Sequence, residues 1–108
     1  MAKPELLSGT LDLLMLQVLN GGQLHGFAIA ERIHALSKDV LIVEEGSLYP
    51  SLYRMEEKGW IEPEWGQSDK GRRAKFYSLT REGRKQLTAE RQTWDRIALA
   101  IGDVLRNA

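Results

Sequence analysis

Two groups of side chains in this sequence are suited to binding a negatively charged ligand. The first lies on the segment Gly46-Ser-Leu-Tyr-Pro-Ser-Leu-Tyr-Arg54 and comprises Ser47, Tyr49, Tyr53 and Arg54. Hydroxyl groups and the positive end of a helix dipole bind phosphate oxygens, and an arginine contacts a phosphate or a guanine edge. Tyr49 and Tyr53 are four residues apart and therefore share one face of a helix. The alternative is that both tyrosines are half-buried core residues.

The second group is a cluster of positive charge that the neutral total conceals. The chain has 15 Lys+Arg and 15 Asp+Glu, yet residues 70–91 hold eight basic and two acidic side chains. Residues 1–62 have the reverse balance, with five basic and nine acidic side chains. Such asymmetry is typical of a protein that binds a polyanion. The basic side chains nearest the predicted hairpin tip are Lys70, Arg72, Arg73 and Lys75. The alternative is a hairpin whose charges serve only solubility.

Other kinds of chemistry have little support. The chain has no cysteine, which excludes a disulfide, a thiolate nucleophile and Cys-ligated zinc. His25 and His34 are nine residues apart, off metal-binding spacing, and no HExxH, P-loop or GxSxG motif occurs. We therefore predict no enzyme, no metal and no cofactor, and expect His25 to cap or pack. The longest apolar stretch, residues 11–19, is too short for a membrane span, so we predict a cytoplasmic protein without a membrane partner.

Hydrophobic periodicity predicts two helices and a strand ahead of the tyrosine segment. Apolar residues on one helical face predict a first helix over residues 10–19. A second helix is predicted from about residue 26 to residue 36, with Phe27 and Ile33 buried. The β-branched run 40–43 is too short for a helix and predicts a strand.

The tyrosine segment opens a third predicted helix, which begins near Glu45 or Gly46 and ends at Gly59. We expect Pro50 in its first turn, because proline lacks the N–H that later turns need. The hydroxyls of the segment then surround the N-terminal half of this helix.

A β-hairpin should follow. The strand candidates are residues 60–65 and 74–79, and the polar, glycine-bearing connection 66–73 joins them. Pro63 confines its strand to the edge of the sheet.

The last helix, capped by Thr80, carries an apolar stripe that predicts self-association. Leu87, Trp94 and Ile101 recur every seven residues, an a/d-like seam that continues for roughly three heptads. A chain this small has little surface to cover the stripe, so an identical copy is the expected partner. The predicted interface residues are Leu87, Trp94, Ile97, Ala98, Ile101 and Leu105. The alternative is that the stripe packs on the first helix of the same chain. We expect both kinds of packing in part, with Leu13 and Leu16 of the first helix free to contact a partner's helix.

Trp94 has two interpretations. An indole near a dimer axis can stack on a flat aromatic effector between the subunits. It can equally fill the interface, and we favour that interpretation because large aromatic residues dominate interface packing. We regard Trp60 and Trp65 as structural.

Five segments, in order and covering nearly the whole chain, together resemble the PadR family of transcriptional regulators. They are Thr10-Leu-Asp-Leu-Leu14, His25-Gly-Phe27, Gly46-Ser-Leu-Tyr-Pro50, Leu52-Tyr-Arg-Met-Glu-Glu-Lys-Gly-Trp-Ile61 and Arg73-Ala-Lys-Phe-Tyr-Ser-Leu-Thr80. The length and the single C-terminal helix resemble the short subfamily. Phe27 is a departure, since a tyrosine is frequent there. The resemblance implies a winged-helix repressor that dimerises through its last helix and releases DNA when a small molecule or another signal intervenes.

The resemblance assigns residues 46–50 to the start of a recognition helix, 70–73 to the tip of a wing and 73–77 to its return strand. The expected fold is mainly α (α+β): a winged helix-turn-helix with a β-hairpin wing and a long C-terminal dimerisation helix. We expect a DNA-binding domain over residues 1–79 and the dimerisation helix over residues 80–108.

The predicted function is sequence-specific binding to double-stranded DNA. The homodimer should recognise a palindromic operator with half-sites about one turn apart, roughly 34 Å, and repress transcription. Two rivals remain open. One is a winged-helix protein-interaction module, and the other is a small-molecule-binding dimer without DNA binding.

Overall fold

A computed structural model describes residues 9–108. Within that range the chain forms four α-helices and three β-strands in one antiparallel sheet: α1 (Thr10–Leu19), β1 (Leu24–His25), α2 (Gly26–Leu36), α3 (Glu45–Glu57), β2 (Ile61–Gln67), β3 (Arg73–Leu79) and α4 (Arg81–Asn107). Helices α2 and α3 form the helix-turn-helix, and β2 and β3 form the wing. The predicted winged helix-turn-helix with a long last helix is confirmed.

The sheet has the strand order β1-β3-β2. β2 pairs with β3 from Ile61 opposite Leu79 to Gln67 opposite Arg73, and β2 lies at an edge, as Pro63 predicts. The other edge is β1, only two residues long, whose His25 lies opposite Phe76. A strand this short has no periodicity, and sequence reasoning missed it.

The strand predicted over residues 40–43 is wrong. These residues have no regular structure and connect α2 to α3. Leu41 and Val43 pack against the core, while Val40 and Ile42 are exposed. β-branched residues favour a strand only where a neighbouring strand pairs with them, and no described strand pairs with residues 40–43.

Pro50 lies in the second turn of α3, not the first. The helix begins at Glu45, and the carbonyl of Glu44 accepts the N–H groups of Ser47 and Leu48 at 3.0 and 2.9 Å. Pro50 therefore leaves the carbonyl of Gly46 without its helical donor. Gly46 and Pro50 are both exposed, so water can reach that carbonyl. Burial of the opposite face stabilises the helix through this break.

The core lies between the helices and the sheet. Its buried side chains are Met15, Leu16, Leu19, Ile29, Ile33, Leu48, Leu52, Met55, Ile61, Tyr77 and Leu87. Phe27, predicted to be buried, is 55% exposed. Ile29 and Ile33, one turn apart, form the inner face of α2, and Phe27 lies about 160° away around the helix. Leu16, expected to remain free for a partner, is fully buried in its own chain.

Helix α4 has 27 residues and a length of about 40 Å at 1.5 Å per residue. The Thr80 hydroxyl accepts the Gly83 N–H at 3.0 Å, the predicted cap. Leu87, predicted to lie in the dimer seam, is 5% exposed and packs into the core of its own chain, which corrects that assignment. Beyond residue 90 almost every side chain of α4 is exposed. No helix within residues 9–108 is long and apolar enough to cross a bilayer.

Candidate nucleic-acid interface

Helix α3 presents its tyrosines to solvent. Leu48, Leu52 and Met55 anchor one side of the helix in the core, and Tyr49 and Tyr53 lie together on the exposed side. Tyr53 is 67% exposed, which is inconsistent with a half-buried core role. Ser47 is also exposed but lies about 160° around the helix from Tyr49. The structure therefore brings the two tyrosines together and places Ser47 on the other flank.

Tyr49 packs across the start of α2. A Cβ at Gly26 would lie 3.2 Å from Tyr49 Cε1 and 3.3 Å from Leu52 Cδ1, so a larger residue there would press on both side chains. His25 caps α2 by accepting the Ala28 N–H at Nδ1, 3.2 Å away, as predicted. Its ring packs edge-on against Phe76 of β3, with centroids 5.4 Å apart. The beginning of α2 thus fixes Tyr49 beside the wing.

A groove of about 730 Å³ lies between the wing and the helix-turn-helix. Five of the eight predicted DNA-binding residues line it: Tyr49, Lys70, Arg72, Arg73 and Lys75. Phe27, Glu31 and Tyr77 contribute to its walls. Ser47, Tyr53 and Arg54 are not among its lining residues. The groove therefore joins the wing cations to the first turns of α2 and, on α3, to Tyr49.

The wing tip holds cations without an acidic partner. The Gly71 N–H donates to the Ser68 carbonyl at 2.8 Å, and Gly71 has a φ of 75°, so the tip turns tightly. Lys70 and Arg72 are exposed, and neither forms an ion pair with any residue in the 9–108 range. Both charges are therefore available to a polyanion.

Arg73 lies on an aromatic platform. Its guanidinium carbon is 4.5 Å from the ring centroid of Trp65, which is 57% exposed. The hairpin register explains the contact: Trp65 lies opposite Lys75, and Arg73 is two residues before Lys75 in β3, on the same face. A cation over an indole keeps its charge while losing conformational freedom. Sequence reasoning missed this role of Trp65, and only the strand register could have revealed it.

Lys75 links the wing to α3. Its Nζ is 3.1 Å from Glu56 Oε1, and it lies 5.6 Å from the ring centroid of Tyr77. Hydrogen bonding to Glu56 raises the pKa of Lys75 above its usual value. Burial raises the pKa of the neighbouring Tyr77 hydroxyl. Lys75 therefore has an acidic partner, unlike the cations at the tip.

Arg54 also has an acidic partner. Its Nη2 donates to both carboxylate oxygens of Asp12, at 2.5 and 2.6 Å. Asp12 lies on α1 and is 8% exposed. The guanidinium is therefore directed toward α1 and away from the wing groove.

The exposed part of α4 carries the apolar stripe. Trp94, Ile97 and Ile101 are 40–47% exposed, and Leu105 is 78% exposed. Ala98 is exposed beside them. Near the middle of the helix, a cavity of about 210 Å³ lies between α1 and α4, with Leu13, Trp94 and Ile97 in its walls. Leu13 therefore already packs toward α4 in its own chain.

Known proteins resemble this chain over most of its length. A sequence model of the transcriptional regulator PadR-like family matches residues 15–89. A solved transcriptional regulator from Clostridium thermocellum is 26% identical, with a TM-score of 0.81 over 89% of this chain and 93% of that one. A PadR-like transcriptional regulator from Bacillus cereus is 26% identical, with a TM-score of 0.78 over 94% and 96%. A PadR family transcription regulator from Clostridium difficile is 31% identical, with a TM-score of 0.76 over 90% and 99%.

The family match covers more than half of the chain and includes α3, the wing and the first turns of α4. The solved relatives extend the likeness to nearly the whole fold. The matched range contains the exposed tyrosines of α3 and the unpaired cations of the wing tip. The chain belongs to the PadR-like family of transcriptional regulators, and it is a DNA-binding regulator of transcription, not an enzyme.

Proposed function

We propose that this protein is a repressor that binds a palindromic operator as a homodimer. The observation that carries the proposal is the groove in which Tyr49 meets the wing cations. In this proposal the exposed side of α3 enters the major groove and the wing follows the flanking backbone. Repression follows if the operator overlaps the promoter, because the bound dimer then excludes polymerase. In this proposal the protein acts in the cytoplasm.

The predicted DNA-binding residues take different roles in this proposal. Lys70, Arg72 and Arg73 neutralise phosphates, which gives affinity without sequence preference. Tyr49, Tyr53 and Ser47 lie at or near the major groove of the DNA. Lys75 and Arg54 have acidic partners of their own, so they contribute by holding the wing and α3 in place.

The dimer is proposed from the uncovered stripe on α4. A continuous apolar row on the exposed half of a 27-residue helix is typical of a surface that binds a partner. A second copy supplies a matching stripe, and two-fold symmetry repeats the recognition helix for the second half-site. In this division, residues 1–79 bind DNA and residues 80–108 dimerise, and the first turns of α4 also belong to the core. Residues 1–8 lie outside the described range.

The cavity beside Trp94 supports a small aromatic effector. At about 210 Å³ it is smaller than the roughly 300 Å³ of ordinary ligand pockets. Two such cavities meeting at a dimer axis would reach that size. Binding should quench Trp94 fluorescence, and Trp94→Phe, which retains Trp60 and Trp65, is the matched control.

Selection of bound duplexes from a random pool at physiological salt tests the central proposal. We expect a palindromic consensus, and a reporter placed behind it should fall in expression when the protein is present. Enrichment of no sequence would overturn the proposal. Retention of a protein ligand would then favour the interaction module, and quenching by aromatic compounds without DNA binding would favour the small-molecule dimer.

A further inference from the structure

Helix α3 is linked to α1 by a single ion pair with two hydrogen bonds. Arg54 Nη2 lies 2.5 and 2.6 Å from the two carboxylate oxygens of Asp12, which is 42 residues away in the sequence. The Asp12 side chain is 11% exposed, and that of Arg54 is 43% exposed. A nearly buried carboxylate needs such a partner, because an unpaired charge there is costly. The pair thus adds a polar link between α3 and α1 to the packing of Leu48, Leu52 and Met55 in the core.

Helix α1 is in turn attached to α4. Leu13, one residue after Asp12, faces the cavity whose opposite wall includes Trp94. One turn further along α1, the side chain of Gln17 accepts a hydrogen bond from Arg91 at 3.5 Å. The chain of contacts therefore runs from the recognition helix through Asp12 to the helix that carries the apolar stripe.

We propose that the Asp12–Arg54 pair is a positioning pair that sets the spacing between the two recognition helices of the dimer. Arg54 acts on DNA binding through Asp12 and does not contact DNA. This inference rests on the proposed homodimer and palindromic operator. The pair orients α3 relative to α4. Loss of the pair therefore alters the distance and the angle between the two recognition helices of the dimer.

The alternative, a direct contact between Arg54 and DNA, predicts the opposite response to loss of Asp12. Asp12→Asn removes the charge that holds the guanidinium. If Arg54 acts by positioning α3, loss of the pair lets α3 shift, and operator binding weakens. If Arg54 instead contacts DNA directly, loss of Asp12's charge releases its guanidinium toward the phosphates, and operator binding tightens. The sign of the change separates the two roles.

The experiment measures the affinity of the full-length chain for the selected operator and for versions with one base pair added to or removed from the spacer. The variants are Asp12→Asn, Arg54→Gln and the double variant. The matched control is Asp103→Asn, which breaks an exposed Asp–Arg pair with Arg106 near the end of α4. Circular dichroism and melting curves establish that each variant is folded.

We expect each single variant to bind the operator roughly tenfold more weakly, and the double variant to be no weaker than either. The loss of affinity caused by adding or removing one base pair in the spacer should be smaller in all three variants than in the wild type. The slope of log K against log salt should remain that of the wild type. A merely structural role would leave the spacer preference intact. The Asp103→Asn control should match the wild type.

Tighter operator binding by Asp12→Asn overturns the inference. A shallower slope of log K against log salt in Arg54→Gln also overturns it. If Asp12→Asn does not fold, Arg54→Lys decides, because lysine keeps the positive charge but lacks the planar guanidinium whose Nη2 contacts both carboxylate oxygens of Asp12. Weakened binding with a reduced spacer penalty supports positioning, and unchanged binding overturns it. If the wild-type chain selects no duplex, the proposed function fails as well.

Discussion

Removal of the two wing arginines should flatten the salt dependence of DNA binding. Each phosphate neutralised by a Lys or Arg releases counterions, so log K falls with log salt by about 0.9 per contact. Arg72 and Arg73 are exposed at the rim of the wing groove. Changing both to Ala should also weaken binding to every duplex by a similar factor, because phosphate contacts carry no sequence information.

The structure gives the size of the effect. Lys70, Arg72 and Arg73 have no acidic partner within residues 9–108, whereas Lys75 pairs with Glu56. Three cations on each of two protomers make about six contacts and a slope of about −5.4. The double variant keeps only Lys70 and a slope of about −1.8. Between about 50 and 200 mM salt, wild-type affinity should fall about 2,000-fold and that of the variant about 12-fold.

Fluorescence anisotropy of a labelled operator across this salt range measures both slopes. Two controls accompany it. Arg72→Lys with Arg73→Lys keeps both charges and should keep the wild-type slope. Arg96→Ala with Arg106→Ala removes the same number of charges from α4, away from the wing, and should also leave the slope unchanged. A wild-type slope in the Ala variant, or an equal loss in the α4 control, would refute this assignment of the DNA-binding face.

Three further predictions concern stability and assembly. Gly83→Ala pushes a methyl group into a backbone carbonyl at the entry to β2, so urea unfolding should show a loss of about 1–3 kcal/mol; Gly102→Ala, which meets only a flexible arginine, should lose little. The raised pKa of Tyr77 means that the unfolded chain ionises first, so wild-type stability should fall as the pH rises above 10.0. Melting temperatures between pH 8 and 11 should show a smaller fall for Tyr77→Phe, and an equal fall would contradict the cause. Ile101→Asp should sediment as a monomer, whereas Leu99→Asp, off the stripe, should remain dimeric; a dimeric Ile101→Asp would rule out this seam.

Local patterns specified the helices and the hairpin. The helices follow from apolar spacing and from caps within a few residues, such as Thr80 ahead of α4. The hairpin follows from two β-rich segments around a polar connection. These signals act over short distances along the chain, so one sequence suffices to read them.

Local reasoning failed where an interaction depends on a distant partner. The run 40–43 has strand propensity but lies in the connection between α2 and α3, where no described strand pairs with it. Leu87 has seam spacing, yet its position near the start of α4 places it over the core of its own chain. Pro50 sits deeper in α3 than its chemistry predicts, because the packing of Leu48 and its neighbours outweighs one lost hydrogen bond.

The sequence by itself determined the kind of ligand, since the tyrosine segment and the basic hairpin are visible as residue types at fixed spacing. Only the tertiary structure decided which of those side chains remain available to it. Arg54 is paired with Asp12, and Lys75 with Glu56, while Arg73 rests on Trp65. Charge is a property of composition, but its pairing requires groups from separate elements to meet within a few ångströms, and only the folded chain brings them together.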